Sequence, residues 1–210
     1  MIPDESAFAF ESDGLQLEGM LHEGDGSIAA VVLHPHPLYG GDMDSHVVLA
    51  LRTAFAEAGA TTLRFNFRGT GRSEGAYNDG RGEAADARAA ISALRELQPG
   101  RGILLVGYSF GAHVAASVAS TEPLVGLVLV SLPVAAGPLP QLPEGVDTLL
   151  VTGDCDDIAP ADRMLALAGP RRRVAIIEGV SHAWWPGVDR LAAEVDAFLR
   201  ELPQNSSRLP

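Results

Sequence analysis

A serine in a glycine-flanked turn is the first group in this sequence that could carry chemistry. Residues 107–111 read GYSFG, after the apolar run GILLV and before the small-residue segment AHVAASVAS. Glycines at both ends of such a turn permit a sharp strand-to-helix bend, which lifts the serine hydroxyl out of the backbone. The segment therefore predicts an exposed nucleophile, Ser109, at the N-terminus of a helix.

A serine hydroxyl is a poor nucleophile at neutral pH unless a base, itself held by a third group, accepts its proton. Two later segments supply such groups, because residues 153–160 read GDCDDIAP and residues 178–182 read EGVSH. Spacing alone leaves three candidates for the acid, since an aspartate in such a turn can also cap a helix or turn. These candidates are Asp154, Asp156 and Asp157.

The elements that must position these groups follow an alternating pattern. Apolar runs typical of strands that are covered on both faces occur at residues 27–33, 61–67, 102–106, 124–130, 147–152 and 173–177. Apolar residues at helical spacing lie between them, around residues 48–55, 84–94 and 188–198. The alternation predicts a parallel sheet with helices on both faces. Each candidate group then follows the carboxyl end of a strand, where such sheets bind ligands.

The two ends of the sequence differ from this pattern. Near the N-terminus, the segments AFAFES and LQLEGML flank Asp13-Gly14, a tight-turn signal that predicts an antiparallel hairpin leading into the sheet. The segment PQNSSRLP at the C-terminus is typical of a frayed end. We therefore expect a single domain over residues 1–202 and a flexible tail over residues 203–210.

Charge and composition limit the partners. The chain has 15 basic and 27 acidic residues, a net charge of −12 and a pI near 4.8, which is the wrong sign for binding nucleic acid or an anionic membrane surface. No apolar run approaches the ~18 residues of a membrane span, and the acidic start is unlike a signal peptide. We expect a cytoplasmic protein with a small-molecule substrate, and the sequence favours neither a monomer nor a dimer.

Five segments of the sequence resemble the α/β-hydrolase superfamily, and together they span nearly the whole chain. GYSFG resembles its nucleophile elbow, GDCDDIAP its acid turn and GVSH its histidine loop. LHPHPLYGGDMDSHVV and LRFNFRGTGRSEG resemble a small lidless branch of dienelactone-hydrolase-like esterases. The resemblance implies an α/β-hydrolase fold with a mostly parallel eight-stranded sheet and no cap domain. It also implies that Ser109 is the nucleophile, His182 the general base and Asp156 the group that orients His182.

Acyl transfer further needs N–H groups directed at the developing oxyanion. Phe110, which follows the nucleophile and opens a helix, is expected to supply one from its backbone. The resemblance places the second donor at the backbone N–H of His36, with that of Leu38 as the alternative. The prolines at 35 and 37 have no N–H to offer.

Aromatic residues near these groups are the expected substrate contacts. They are Tyr39, Tyr108, Trp184 and Trp185. Neither a metal nor a cofactor is predicted. The histidines at 34, 36 and 46 lack metal-ligand spacing, and the glycine cluster at 69–75 lacks both the spacing and the helix of a dinucleotide site.

The expected activity is hydrolysis of small carboxylic esters or thioesters through an acyl-enzyme. The alternative is a catalytically silent protein of the same fold that binds a small ligand or a partner, and a peptidase or acyltransferase is a third option. Retention of serine, acid and histidine favours the enzyme. Residues 131–145 are too rich in proline and glycine for a multi-helix lid, so we expect a shallow site that takes short acyl chains.

Overall fold

A computed structural model describes residues 4–202 as one eight-stranded sheet with helices on both faces. The strands are β1 (Ser6–Ser12), β2 (Leu15–His22), β3 (Ile28–Leu33), β4 (Thr61–Phe65), β5 (Gly102–Tyr108), β6 (Gly126–Val130), β7 (Thr148–Cys155) and β8 (Arg172–Ser181). The helices are α1 (His46–Glu57), α2 (Arg81–Leu97), α3 (Phe110–Val118), α4 (Ala161–Leu165) and α5 (Val188–Glu201), with a 3₁₀ turn at Pro37–Tyr39. The predicted tail, residues 203–210, lies outside the described residues.

The sheet has the order β1-β2-β4-β3-β5-β6-β7-β8. Strands β1 and β2 form an antiparallel hairpin, β2 pairs with β4 in the antiparallel sense, and all remaining pairs are parallel. The hairpin turns at Asp13 and Gly14, which both adopt positive φ, as a two-residue turn of the primed type requires. The predicted mostly parallel eight-stranded sheet with an N-terminal hairpin is confirmed.

The central strands are apolar on both sides because both faces of the sheet are covered. Helices α2, α3 and α4 pack on one face, where Ile91 and Leu94 are fully buried. Helices α1 and α5 pack on the other, where Phe55 and Val195 are fully buried. This burial explains why runs such as IAAVVL carry no polar alternation.

The connection between β6 and β7, residues 131–147, contains neither a helix nor a strand, so within residues 4–202 this connection forms no helical lid over the carboxyl end of the sheet. The short helix α4 had no counterpart in the sequence prediction, because five residues are too few to show a helical period. Among residues 4–202, no helix has both the length and the apolarity needed to cross a membrane.

Candidate active site

The turn after β5 is held by close backbone packing. Ser109 has φ 55° and ψ −116°, a strained conformation for a residue with a side chain, and its N–H donates to the carbonyl of Val130 at 2.9 Å. A Cβ on Gly107 would lie 2.2 Å from the carbonyl oxygen of Gly111. A Cβ on Gly111 would lie 2.4 Å from the carbonyl oxygen of Leu33. Both glycines are therefore required for β3, β5 and α3 to approach this closely.

The structure brings Ser109, His182 and Asp156 into one chain of hydrogen bonds. The Oγ of Ser109 lies 2.8 Å from Nε2 of His182. Nδ1 of His182 lies 2.9 Å and 3.0 Å from the two carboxylate oxygens of Asp156. Because an ionised carboxylate only accepts hydrogen bonds, Nδ1 carries the proton and Nε2 presents its lone pair to the serine. The arrangement suits proton removal from the Ser109 hydroxyl.

Asp156 is the buried member of the three candidate acids. One of its oxygens accepts hydrogen bonds from the N–H groups of Ile158 and Ala159, and the other accepts one from the Thr152 hydroxyl. Burial acts to raise the pKa of Asp156, but its hydrogen bonds, led by that from His182, outweigh burial and hold this pKa below its usual value. The carboxylate therefore stays ionised at neutral pH.

The other two aspartates of the turn lie elsewhere. Asp154 is exposed and accepts a hydrogen bond from the N–H of Gly179 at 2.6 Å, which ties the end of β7 to β8. Asp157 is exposed as well. Neither forms a hydrogen bond with His182 within the described part of the chain.

Two backbone N–H groups next to Ser109 are available as oxyanion donors. Phe110 is the first residue of α3, so its N–H has no intrahelical acceptor. The N–H of His36 donates to no acceptor among residues 4–202, and His36 lines the same cleft as Ser109. The structure corrects the alternative at Leu38, because the N–H of Leu38 donates to Nδ1 of the His36 ring at 3.2 Å.

A buried imidazole fixes the peptide that carries the His36 N–H. The Nδ1 of His34 donates to the carbonyl of Pro35 at 2.6 Å, and its Nε2 accepts from the N–H of Phe67 at 3.0 Å. In a trans peptide the carbonyl and the following N–H point to opposite sides, so the His36 N–H points away from the His34 ring. Burial lowers the pKa of His34 to about 4, and the bond to Pro35 offsets this only in part. The ring is therefore neutral at physiological pH.

The cleft above Ser109 has a volume of about 800 Å³ and is open to solvent. Tyr39 and Trp185 stand on its rim with 88% and 69% of their surface exposed, and their contact with substrate stays a prediction. Tyr108 also lines the cleft, but it is buried, and its hydroxyl donates to the carbonyl of His182 at 2.7 Å. Tyr108 therefore holds the histidine loop in addition to forming part of the wall.

The prediction that Trp184 contacts substrate is wrong. Its side chain is fully buried in the core under α1 and α5, and its indole N–H donates to the Ser131 hydroxyl at 2.9 Å. A positive φ of 58° at Trp184 turns the chain so that two adjacent tryptophans face opposite environments. Trp184 anchors the loop, and Trp185 alone of the pair reaches the cleft.

Comparison with known proteins places the chain in a family. Residues 29–150, more than half of the chain, match the sequence model of the hydrolase family described as serine aminopeptidase S33. The chain belongs to this family. Its fold is that of the α/β-hydrolase superfamily, in which the lidless, esterase-like branch provides its structural counterparts.

Relatives of this hydrolase include proteins of several bacteria. A 146-residue alignment is 37% identical to an uncharacterized protein of Rickettsia prowazekii (strain Madrid E) and covers 63% of this chain. It spans 58% of that protein, so the hydrolase matches less than two thirds of that relative's length. An α/β serine hydrolase without a lid from Xanthomonas campestris is 26% identical, with a TM-score of 0.87 and coverage of 99% of this chain and 97% of that chain. An α/β serine hydrolase homologue from Coxiella burnetii is 31% identical, with a TM-score of 0.84 and coverage of 97% and 99%.

Several residues that the sequence analysis did not select also line the cleft of this hydrolase. They are His46, Tyr77, Asp79, His113, Ile158 and a segment of the β6–β7 connection. These residues come from five separate parts of the chain, and none has a spacing that relates it to Ser109. The only signal available for Tyr77 and Asp79 was their position in the loop after the carboxyl end of β4.

Beside the cleft lies a larger groove of about 950 Å³, lined among others by Glu18, Asn66 and Arg72. Ser109, His182 and Asp156 do not line this groove. Within residues 4–202, no group of three or more His, Cys, Asp or Glu side chains is placed to hold a metal ion.

Proposed function

We propose that this hydrolase cleaves small carboxylic esters or thioesters through an acyl-enzyme formed on Ser109. The observation that carries the proposal is the continuous chain of hydrogen bonds from Ser109 through His182 to the buried Asp156. The neighbouring free N–H groups of His36 and Phe110 support it, since acyl transfer develops negative charge on the carbonyl oxygen.

In the first half of the reaction, the Ser109 oxygen attacks the substrate carbonyl carbon while Nε2 of His182 accepts the serine proton. The carbonyl oxygen becomes an oxyanion between the N–H groups of His36 and Phe110. When this intermediate collapses, the bond from carbon to the leaving oxygen or sulfur breaks. His182 returns the proton to the leaving group, which departs as an alcohol or thiol.

In the second half, a water molecule attacks the acyl carbon and gives its proton to Nε2 of His182. Collapse breaks the bond between the acyl carbon and the Ser109 oxygen, and His182 returns the proton to that oxygen. The products are a carboxylic acid and the free enzyme. Asp156 stays ionised throughout and holds the protonated imidazole in position.

The cleft favours small, uncharged substrates. Without a lid, methylene groups beyond the first few remain in water and forgo about 0.8 kcal/mol each of transfer free energy. Among the described residues that line the cleft there is neither arginine nor lysine, whereas Asp79 adds a carboxylate. Such a surface offers no counter-charge to a substrate with several phosphate groups.

A fluorophosphonate probe tests the nucleophile, because only an activated serine reacts with it at a useful rate. We expect wild-type protein to be labelled at Ser109, as located by peptide mass spectrometry. Ser109→Ala should abolish both labelling and turnover, and His182→Ala should reduce turnover by about 10⁶-fold. Ser117→Ala, which alters a serine on α3 that does not line the cleft, is the matched control.

A substrate panel tests the acyl group. We expect hydrolysis of p-nitrophenyl acetate and of short-chain thioesters, with rates that rise little beyond about six acyl carbons. Faster cleavage of amino-acid p-nitroanilides than of any ester would replace the ester assignment with a peptidase. Absence of both labelling and turnover would favour the silent binding protein. A cytoplasmic location stays a prediction from the sequence.

A further inference from the structure

The indole of Trp185 is an unusually large apolar group to be left in solvent at the mouth of a cleft. It keeps 69% of its surface exposed, and it lines the cleft together with His46. The two rings stack with centroids 3.9 Å apart and planes 21° apart. One side of the indole is thus supported by the imidazole at the start of α1, and the pair forms a flat wall.

This wall has a fixed position relative to the proposed general base. The loop from His182 to Trp185 is tied at one end by the Tyr108 hydroxyl, which donates to the carbonyl of His182. It is tied at the other end by the buried Trp184, whose backbone N–H donates to the carbonyl of Ser181 at 3.0 Å. The indole therefore stands three residues from the imidazole in a loop with little freedom to move.

The path of the returning proton indicates which part of the substrate lies on the Trp185 side of the cleft. Nε2 of His182 gives its proton to the leaving oxygen, so that oxygen must come within hydrogen-bond distance, about 2.6–3.2 Å, of Nε2. Whatever is bonded to the leaving oxygen then lies over the loop that carries Trp185.

A second aromatic cluster lies beside the proposed oxyanion donors. The ring of His36 lies 4.7 Å from Tyr39, 5.0 Å from Tyr77 and 4.8 Å from Phe110, measured between centroids. His36 and Phe110 are also the proposed oxyanion donors. We therefore expect this cluster to lie around the substrate carbonyl group and not around the leaving group.

We propose that Trp185, supported by His46, is the contact surface for the leaving group and that the enzyme favours esters of alcohols that carry an aromatic ring. The inference rests on the proposed ester hydrolysis. A planar ring on the alcohol can stack on the indole, whereas a saturated ring of similar size gains only burial. Such stacking changes affinity by up to about tenfold beyond the effect of buried area.

The test compares benzyl acetate with cyclohexylmethyl acetate, which share one acyl group and differ in whether the ring of the alcohol is planar. Wild-type kcat/KM should be about tenfold higher for benzyl acetate. Trp185→Ala should remove this preference, because it should lower kcat/KM for benzyl acetate more than kcat/KM for methyl acetate, and Trp185→Phe should keep most of the preference. Leu165→Ala, an exposed apolar residue on α4 outside the cleft, is the control and should leave all rates unchanged.

A second pair of substrates, methyl benzoate and methyl cyclohexanecarboxylate, carries the ring on the acyl group. This pair distinguishes a leaving-group contact of Trp185 from an acyl-group contact. Trp185→Ala should leave that ratio unchanged, and a change there would assign Trp185 to the acyl side and overturn the inference. Equal losses on methyl and benzyl acetate would reduce Trp185 to a structural residue and also overturn it. Wild type that is labelled at Ser109 but shows no benzyl preference overturns this inference alone. Wild type that is neither labelled nor active overturns the proposed function.

Discussion

The turn after β5 and the loop after β3 each carry one of the two proposed oxyanion donors, and they are held in place by different means. Around Ser109 the backbone itself is packed, with two glycines that admit no Cβ. Around His36 the backbone is irregular, and imidazole side chains make the hydrogen bonds that fix it. One donor is therefore positioned by steric packing, whereas the position of the other depends on hydrogen bonds that change with the protonation state of histidines.

The same two regions meet at one point. Gly111, the last residue of the serine turn, lies so close to the carbonyl oxygens of Leu33 and His34 that a Cβ would come within 2.4 Å and 2.6 Å of them. The packed turn therefore supports the start of the irregular loop directly. Variants can separate steric support from side-chain support because each affects a different set of contacts.

Among the variants that test this comparison, the largest effect is expected at Asp156, because either donor is useful only when Ser109 is activated. Asp156→Asn should lower kcat by about 10⁴-fold, because an amide favours the wrong tautomer of His182 and leaves both oxyanion donors without an activated serine. Asp157→Asn, in the same turn but exposed, should change kcat less than threefold and serves as the matched control. Steady-state kinetics on p-nitrophenyl acetate measures both. Similar losses in the two variants would contradict the assignment of the acid.

Next in size is the contact between the two regions. Gly111→Ala should lower kcat by about 10²–10³-fold, the usual cost of losing an oxyanion donor, because the added Cβ displaces the loop at Leu33 and His34. It should also lower the free energy of unfolding by about 1–3 kcal/mol through overpacking. Gly145→Ala is the control, since nothing lies within 4 Å of a Cβ there. An active, stable Gly111→Ala protein would show that the regions are independent.

The stability contributed by the loop after β3, which histidine side chains hold in place, should depend on pH, whereas that of the packed turn after β5 should not. The unfolded chain protonates His34 near pH 6.5, but the folded chain resists protonation until about pH 4. The unfolded state therefore binds more protons in this window, and the free energy of unfolding falls as the pH falls through it. The loss attributable to His34 is about 3 kcal/mol between these limits.

Urea unfolding of wild type and His34→Gln at several pH values measures this contribution. The variant should be less stable at pH 7 and should show a shallower decline between pH 6.5 and pH 4. Ser117→Ala, which removes no titratable group, should keep the wild-type slope. An unchanged slope in His34→Gln would mean that the buried ring is not what makes the fold sensitive to acid.

The smallest effect should come from the contact that supports the ring of His36. Its Nδ1 accepts the N–H of Leu38, so Nε2 carries the proton and lies 3.2 Å from the Tyr77 hydroxyl. Tyr77→Phe removes this acceptor and should lower kcat/KM for p-nitrophenyl acetate by about two- to tenfold, the net worth of one hydrogen bond. Fluorophosphonate labelling at Ser109 should persist. A loss as large as that of Gly111→Ala would mean that the loop depends on this single bond.

The contrast between the two regions also explains which features were evident from the sequence. The serine turn is local: a strand, a GxSxG segment and a helix follow one another, so position and geometry could be predicted together. The choice among the three aspartates depends on which carboxylate faces His182 across β7 and β8. Residue spacing along the sequence does not show this. Likewise, the Leu38 N–H is excluded as a donor by a hydrogen bond to the His36 ring, and a sequence motif does not encode that bond.

The two adjacent tryptophans also show what sequence alone could not predict. Trp184 and Trp185 have the same side chain and adjacent positions, but one is fully buried and the other is 69% exposed. Their separation is decided by the positive φ at Trp184 and by the hydrogen bond from its indole to Ser131. The β-rich runs and helical periods, which repeat over many residues, were predictable because many side chains contribute to each signal.

The arrangement of these two indoles also gives the protein two distinct sources of intrinsic fluorescence. They are the only tryptophans of the chain, so all indole emission comes from one buried and one exposed ring. A water-soluble collisional quencher reaches Trp185 and leaves Trp184 unaffected. We therefore expect the red part of the emission spectrum to respond to a molecule that covers Trp185 and the blue part to respond to loss of core packing, both in one sample without any added label.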